Sequence, residues 1–157
     1  MKLLYQLTMV VIAVAFLASC NNNTVYEKYQ AVSDNGWNKD SLVVFNVQVD
    51  DTAQTHNLWV NIRNKVDYNY SNIWLFIEIV QPGGKAVKDT FELVLSKPSG
   101  EWLGEGFGKM RTHQVMFRRN IYFPVKGVYQ VKIQQGMREE NLKGISDVGI
   151  TVGKAGS

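Results

Sequence analysis

Ile73-Trp74-Leu75-Phe76-Ile77-Glu78-Ile79-Val80, followed by Gln81-Pro82-Gly83-Gly84, decides the fold. Successive side chains of an extended chain point to opposite faces. Ile73, Leu75, Ile77 and Ile79 therefore share one face, and Trp74, Phe76, Glu78 and Val80 the other. The first face belongs in a core, so the segment reads as a strand. The Pro-Gly-Gly step is a turn, and a second strand leaves it through Val87, Phe91 and Leu93.

The same period of two returns on either side. Val43, Phe45, Val47 and Val49 alternate with Val44, Asn46, Gln48 and Asp50, and Leu58, Val60 and Ile62 alternate with Trp59, Asn61 and Arg63. Further strands are predicted over 114–118, 128–134 and 145–152. Lys97-Pro98-Ser99-Gly100 marks another turn. In Phe123-Pro124-Val125-Lys126-Gly127, proline ends one strand and glycine permits the turn into the next, where Tyr129, Val131 and Ile133 alternate inward. No segment carries a convincing helical period. About seven or eight antiparallel strands with Gly/Pro turns predict an all-β chain forming a single β-sandwich. The topology is immunoglobulin-like or jelly-roll-like, and alternation does not choose between them.

The amino-terminal segment follows another logic. Lys2 is the one charge ahead of Cys20, and Met9 to Ala18 is an apolar run. A basic start, an apolar core of about 7–15 residues and small residues before a cleavage point make a secretory signal peptide. A membrane-spanning helix needs about 20 apolar residues. Leu17-Ala18-Ser19-Cys20 resembles the bacterial lipobox, a leucine, two small residues and a cysteine. The resemblance implies cleavage before Cys20 and acylation of its thiol by palmitate-type chains. A single chain binds a membrane only marginally, at about 0.8 kcal/mol per buried CH₂, and two or three make a durable anchor. Cys20 is the only cysteine, so no disulfide forms within the chain.

The expected organisation is therefore a signal peptide over 1–19, then the lipidated cysteine, tether and lead-in segment over 20–36. The sandwich follows over 37–152 and a disordered tail over 153–157. Asn21, not an aspartate, follows the cysteine, and no acidic run comes after it. By resemblance to lipoprotein sorting rules, this implies the outer membrane, facing the periplasm.

Catalytic and cofactor patterns are not found. The net charge of +3 is spread without a basic block, which argues against a nucleic-acid partner. His56 and His113 have no further ligands at metal spacing, so no metal site is expected. No Gly-x-Ser-x-Gly occurs. Asp50-Asp51 and Glu139-Glu140 are neighbours in predicted turns, where carboxylates are ordinarily solvated. Glu101-Trp102-Leu103-Gly104-Glu105-Gly106-Phe107-Gly108 lacks the Lys-Ser/Thr of a phosphate loop. Its glycines are expected to bend the backbone, while Trp102, Leu103 and Phe107 plug one end of the core.

Trp59 and Trp74 both lie on the face opposite their strand's core face. With Asn61, Arg63 and Tyr70 they are the candidate surface for a partner protein or a glycan, since an aromatic face offers apolar area with a polar edge. The alternative is that strand register buries one or both under the lead-in segment or a loop.

Taken in order, several short pieces resemble the GldH family of gliding-motility lipoproteins. They are Val25-Tyr26, Asn35-Gly36-Trp37, Asn61-Ile62-Arg63-Asn64, Tyr70-Ser71-Asn72-Ile73 and Asp89-Thr90. Trp102-Leu103-Gly104, Gly106-Phe107-Gly108, Phe123-Pro124, Gly127 and Tyr129 continue the match. Met137-Arg138 and Gly144-Ile145-Ser146-Asp147-Val148-Gly149 complete it. The resemblance implies an envelope lipoprotein tied to gliding motility and the associated protein-secretion machinery, with no enzymatic activity, no catalytic residues and no cofactor. Its expected partners are the membrane, through the acyl anchor on Cys20, and other envelope proteins. A lipid-anchored carbohydrate-binding module is the alternative, with a glycan as partner.

Overall fold

The computed structural model describes residues 23–156, so the expected signal peptide and Cys20 lie outside the described residues. Ten strands follow one another without an intervening helix among them. They are β1 (Thr24–Ala31), β2 (Trp37–Asn38), β3 (Val43–Val49), β4 (Thr55–Lys65) and β5 (Asn72–Val80). Then come β6 (Ala86–Val94), β7 (Met110–Tyr122), β8 (Gly127–Gln135), β9 (Asn141–Leu142) and β10 (Ile145–Lys154).

The opening hairpin is the key to the topology. β5 and β6 pair antiparallel around the Pro-Gly-Gly turn, with Val80 opposite Ala86 and Asn72 opposite Val94. Moving outward along the chain in both directions, every strand pairs with its mirror position: β4 with β7, β3 with β8, β2 with β9 and β1 with β10. The chain is thus one long antiparallel ribbon, folded at residues 81–85. Rolling the ribbon brings β10 against β4 and β8 against β5. Two four-stranded sheets result: sheet I in the order β1-β10-β4-β7 and sheet II in the order β3-β8-β5-β6. This is the jelly-roll arrangement. Of the two topologies that the alternation allowed, the structure has this one.

The core is the union of the two inner faces. Ile73, Leu75 and Ile77 of β5 pack with Phe45 and Val47 of β3, Val131 and Ile133 of β8, and Leu58, Val60 and Ile62 of β4. Each such side chain contributes about 1.5–3 kcal/mol by leaving water. Both open sides are laced. On one side Arg118 of β7 pairs with Asp89 of β6, and the Phe91 and Phe117 rings meet at 5.0 Å. On the other, the Gln30 amide of β1 donates to the Val44 carbonyl of β3 at 2.6 Å.

Two expected boundaries move. The lead-in segment is not separate from the sandwich, because residues 24–31 form β1, an edge strand of sheet I. At the other end β10 runs through Lys154, and Ala155 N–H donates to the Thr55 carbonyl at 2.9 Å, so the supposed tail begins inside the sheet.

Candidate functional site

The five residues singled out as one surface fall on two. Trp59, Asn61 and Arg63 lie on the outer face of sheet I, whereas Trp74 lies on the outer face of sheet II with Tyr70 at its end. The sandwich stands between them, and no single platform exists.

At the centre of the sheet I face, side chains of β1 and β4 cover strand β10. β10 presents Gly149, Thr151 and Gly153 outward in register with Asn61, Trp59 and Asn57 of β4. The missing side chains leave room for aromatic rings. Tyr29 lies directly on Gly149, where an added Cβ would meet Tyr29 Cδ1 at 2.8 Å, and Trp59 covers Gly153, with 3.1 Å from such a Cβ to its ring. Arg63 caps the stack, its guanidinium 4.0 Å from the Tyr29 ring centre. Beneath this cover Asn61 is 0% exposed. Its Nδ2 donates to Thr151 Oγ1 at 2.8 Å, and Gln114 Nε2 donates to the same oxygen at 3.1 Å. Asn61 Oδ1 has no partner among the described residues. Register and glycine spacing thus bury Asn61 outright, which removes it from any contact surface, and tie Trp59 and Arg63 into the sheet.

The sheet II face is open. Trp74 is 39% exposed and Phe76, two residues along the same strand, 48%. Across β6 they stand opposite Glu92 and Thr90, and on the β8 side Phe76 stands opposite Gln134. Leu42, exposed in the loop before β3, faces Phe76 across a hollow of about 530 Å³ also lined by Thr90 and Gln134. Glu78 forms its polar wall, 3.4 Å from Lys88 Nζ and 3.5 Å from Lys132 Nζ. Partial shielding from water would raise the Glu78 pKa, but the two lysines outweigh it and hold the carboxyl below its ordinary value.

A second hollow, of about 320 Å³, continues this face past Trp74 to Tyr70, Met137 and Arg138. Trp74 N–H donates to Met137 Sδ at 3.3 Å. The Tyr70 hydroxyl donates to Glu139, which raises its pKa, as does partial desolvation. Tyr70 and Trp74 are therefore brought together as the sequence suggested, but with Phe76 as their apolar companion in place of Trp59. Sequence reasoning missed Phe76 although its signal was present: it has the same parity as Trp74 on one strand. Leu42 carries no such signal, because its placement depends on a loop.

The glycine-containing loop between β6 and β7 departs from expectation. Leu103 N–H donates to the Leu95 carbonyl, and Glu105 exchanges two backbone hydrogen bonds with Thr112, so the loop crosses from sheet II to sheet I. Trp102 packs on the core as expected, near the buried His113. Leu103 is exposed and Phe107 is 99% exposed, so neither plugs the core. The loop's length carries Phe107 beyond the rim. His113 instead bonds Asn64 Oδ1 through Nε2 at 2.9 Å, and burial lowers its pKa. That leaves a neutral ring donating from Nε2. No group of three or more His, Cys, Asp or Glu converges among the described residues.

Fold and face together define a jelly-roll module with an open aromatic surface. The family model described as GldH lipoprotein matches residues 24–152, and the chain belongs to that family. It is 37% identical over 162 aligned residues to a protein of Christiangramia forsetii named gliding motility lipoprotein GldH homolog, covering 99% of each chain. It is 34% identical over 148 aligned residues to gliding motility lipoprotein GldH of Flavobacterium johnsoniae, covering 90% of this chain and 91% of that one. Among solved structures, the VP2 subviral particle of infectious bursal disease virus overlaps 84% of this chain and 31% of its own at 11% identity, with a TM-score of 0.36. That likeness is too slight to bear on topology or function.

Proposed function

We propose that this chain is a non-enzymatic component of gliding motility and its associated protein-secretion machinery. Acyl chains on Cys20 hold it to the outer membrane on the periplasmic side, and it works by docking onto other envelope proteins. Family membership and the names of both relatives support the motility role. The observation that carries docking is the exposed Trp74–Phe76 pair with Leu42 on the outer face of sheet II. Large apolar side chains gathered on an open surface are characteristic of partner contacts. On the outer face of sheet I, by contrast, Tyr29 and Trp59 are half-buried against the glycines of β10.

A photo-crosslinking residue in place of Thr90, exposed opposite Phe76, tests this in intact cells, with Glu27 on β1 as the control position. Envelope proteins captured from position 90 and not from 27 are the expected result. Equal capture from both positions, or capture of nothing, would remove the docking face. A glycan is the second reading, favoured by Trp74 and Phe76 lying beside Glu92, Thr90 and Gln134, an apolar floor with polar edges. Glycan-array binding that disappears in Trp74→Ala would replace docking with sugar recognition.

A further inference from the structure

One end of the sandwich is set by where the chain enters it. Lys154 N–H donates to the Asn23 carbonyl at 2.7 Å, and Thr24 pairs with Gly153. Beside them Thr55, at the start of β4, pairs with Tyr122, at the end of β7. Asn23, Thr55, Tyr122 and Lys154 share one hollow. Asn23 stands three positions after Cys20. A fully extended chain spans at most about 3.3–3.6 Å per residue, so an anchor at Cys20 lies within about 11 Å of this end. Strand β10, with 10 residues at about 3.3 Å each, places the opposite end some 30 Å further off.

The chemistry of this end suits a headgroup layer. Tyr122 is 64% exposed, and Val125 and Val25 are also exposed. Lys126 and Lys154 are exposed beside them, and Lys85 stands in the β5–β6 turn at the same end. Asp50 and Asp51, exposed in the β3–β4 turn, line a hollow with Val25 and Lys154. Tyrosine belongs at a membrane interface because its ring is apolar and its hydroxyl wet. Lysine side chains there reach lipid phosphates while their stems cover apolar surface.

We propose that this end of the jelly roll is seated on the phospholipid surface that holds the anchor. Tyr122 and Val125 enter the interface, and Lys126 and Lys154 face lipid phosphates. The inference rests on acylation of Cys20, the reading given above. It fixes an orientation: Phe107, Leu103, Tyr70 and Met137, at the far end, are held away from the bilayer, and the Trp74–Phe76 face stands upright beside it.

Cys20 is the only cysteine, and acylation would consume its thiol, so an added cysteine can be labelled alone. The full-length mature protein, carrying Tyr122→Cys, Lys126→Cys or Phe107→Cys with an environment-sensitive fluorophore, is reconstituted in phosphatidylethanolamine–phosphatidylglycerol vesicles. Headgroup spin-labelled lipid is the quencher, and the mass of the same preparation reads its acylation. The expected result is quenching several-fold stronger at 122 and 126 than at 107. Equal quenching at all three, or the strongest at 107, overturns the orientation. Shielding at 122 without quenching by lipid means that protein covers the site, and overturns it too. An unacylated mass removes the anchor itself, and this inference with it; an acylated chain unquenched at 122 removes the orientation alone.

Discussion

The guanidinium of Arg63 lies 4.0 Å above the ring of Tyr29, joining β4 to β1 across the intervening strand β10. The contact is feasible because position 149 has no side chain. An alanine there would bring its Cβ to 2.7 Å from the Lys28 carbonyl and 2.8 Å from Tyr29. Gly149→Ala should therefore destabilise the domain by about 1–3 kcal/mol, the usual cost of overpacking. Urea unfolding measures it, and an unchanged midpoint would refute the stacking argument.

Leu75 and Phe76 are adjacent and should behave oppositely. Leu75 is fully buried between the sheets, so Leu75→Ala should cost about 2–5 kcal/mol of stability. Phe76→Ala removes a half-exposed ring from the outer face and should shift stability by less than about 1 kcal/mol, while abolishing capture of envelope partners. Parallel unfolding and pull-down experiments separate the two. A Phe76→Ala protein with full partner recovery would count against the face.

His113 makes stability depend on pH. Burial lowers its pKa below the ordinary 6.5 in the folded state. The unfolded chain therefore binds more protons once pH falls below that value, and stability declines as pH drops through 6.5 toward the folded pKa. Above that range the contribution is flat. His113→Gln retains an amide donor toward Asn64 without the titration, and its stability should vary less between about pH 7.5 and about pH 5.5. An identical slope in both proteins would exclude His113 as the source.

Cys20→Ala should release the protein from membranes and leave it folded, since the sandwich begins only at Thr24. Fractionation in high salt, with circular dichroism of the soluble material, provides the measurement. A variant that still pellets with membranes would refute anchoring through this thiol.

Particular strands show what a lone sequence could reveal. β3, β4 and β5 bury one face of each strand, so their alternation was legible. β1 carries no such alternation, because an edge strand buries little: Lys28 is exposed, Tyr26 is half-buried and Tyr29 lies outside the core. β7 is legible only over 114–118, because bulges near Leu58 and Arg118 break its parity and Asn120 takes a φ of 51°. The split of Trp59 from Trp74 was illegible for a different reason. Alternation says which side of its own strand a residue occupies, not which sheet the strand joins. The pairing of β4 with β10, distant in sequence, decided that.

Strand β10 lies between β1 and β4, yet it is the last of the ten to be synthesised. Until residues 145–154 emerge, the two earlier strands have no neighbour between them, and the hydrophobic interior lacks Val148, Ile150 and Val152. Translation proceeds at about 5–20 residues per second, and contacts this distant in sequence close slowly. The nascent polypeptide therefore cannot lock its final shape until its last strand has been made.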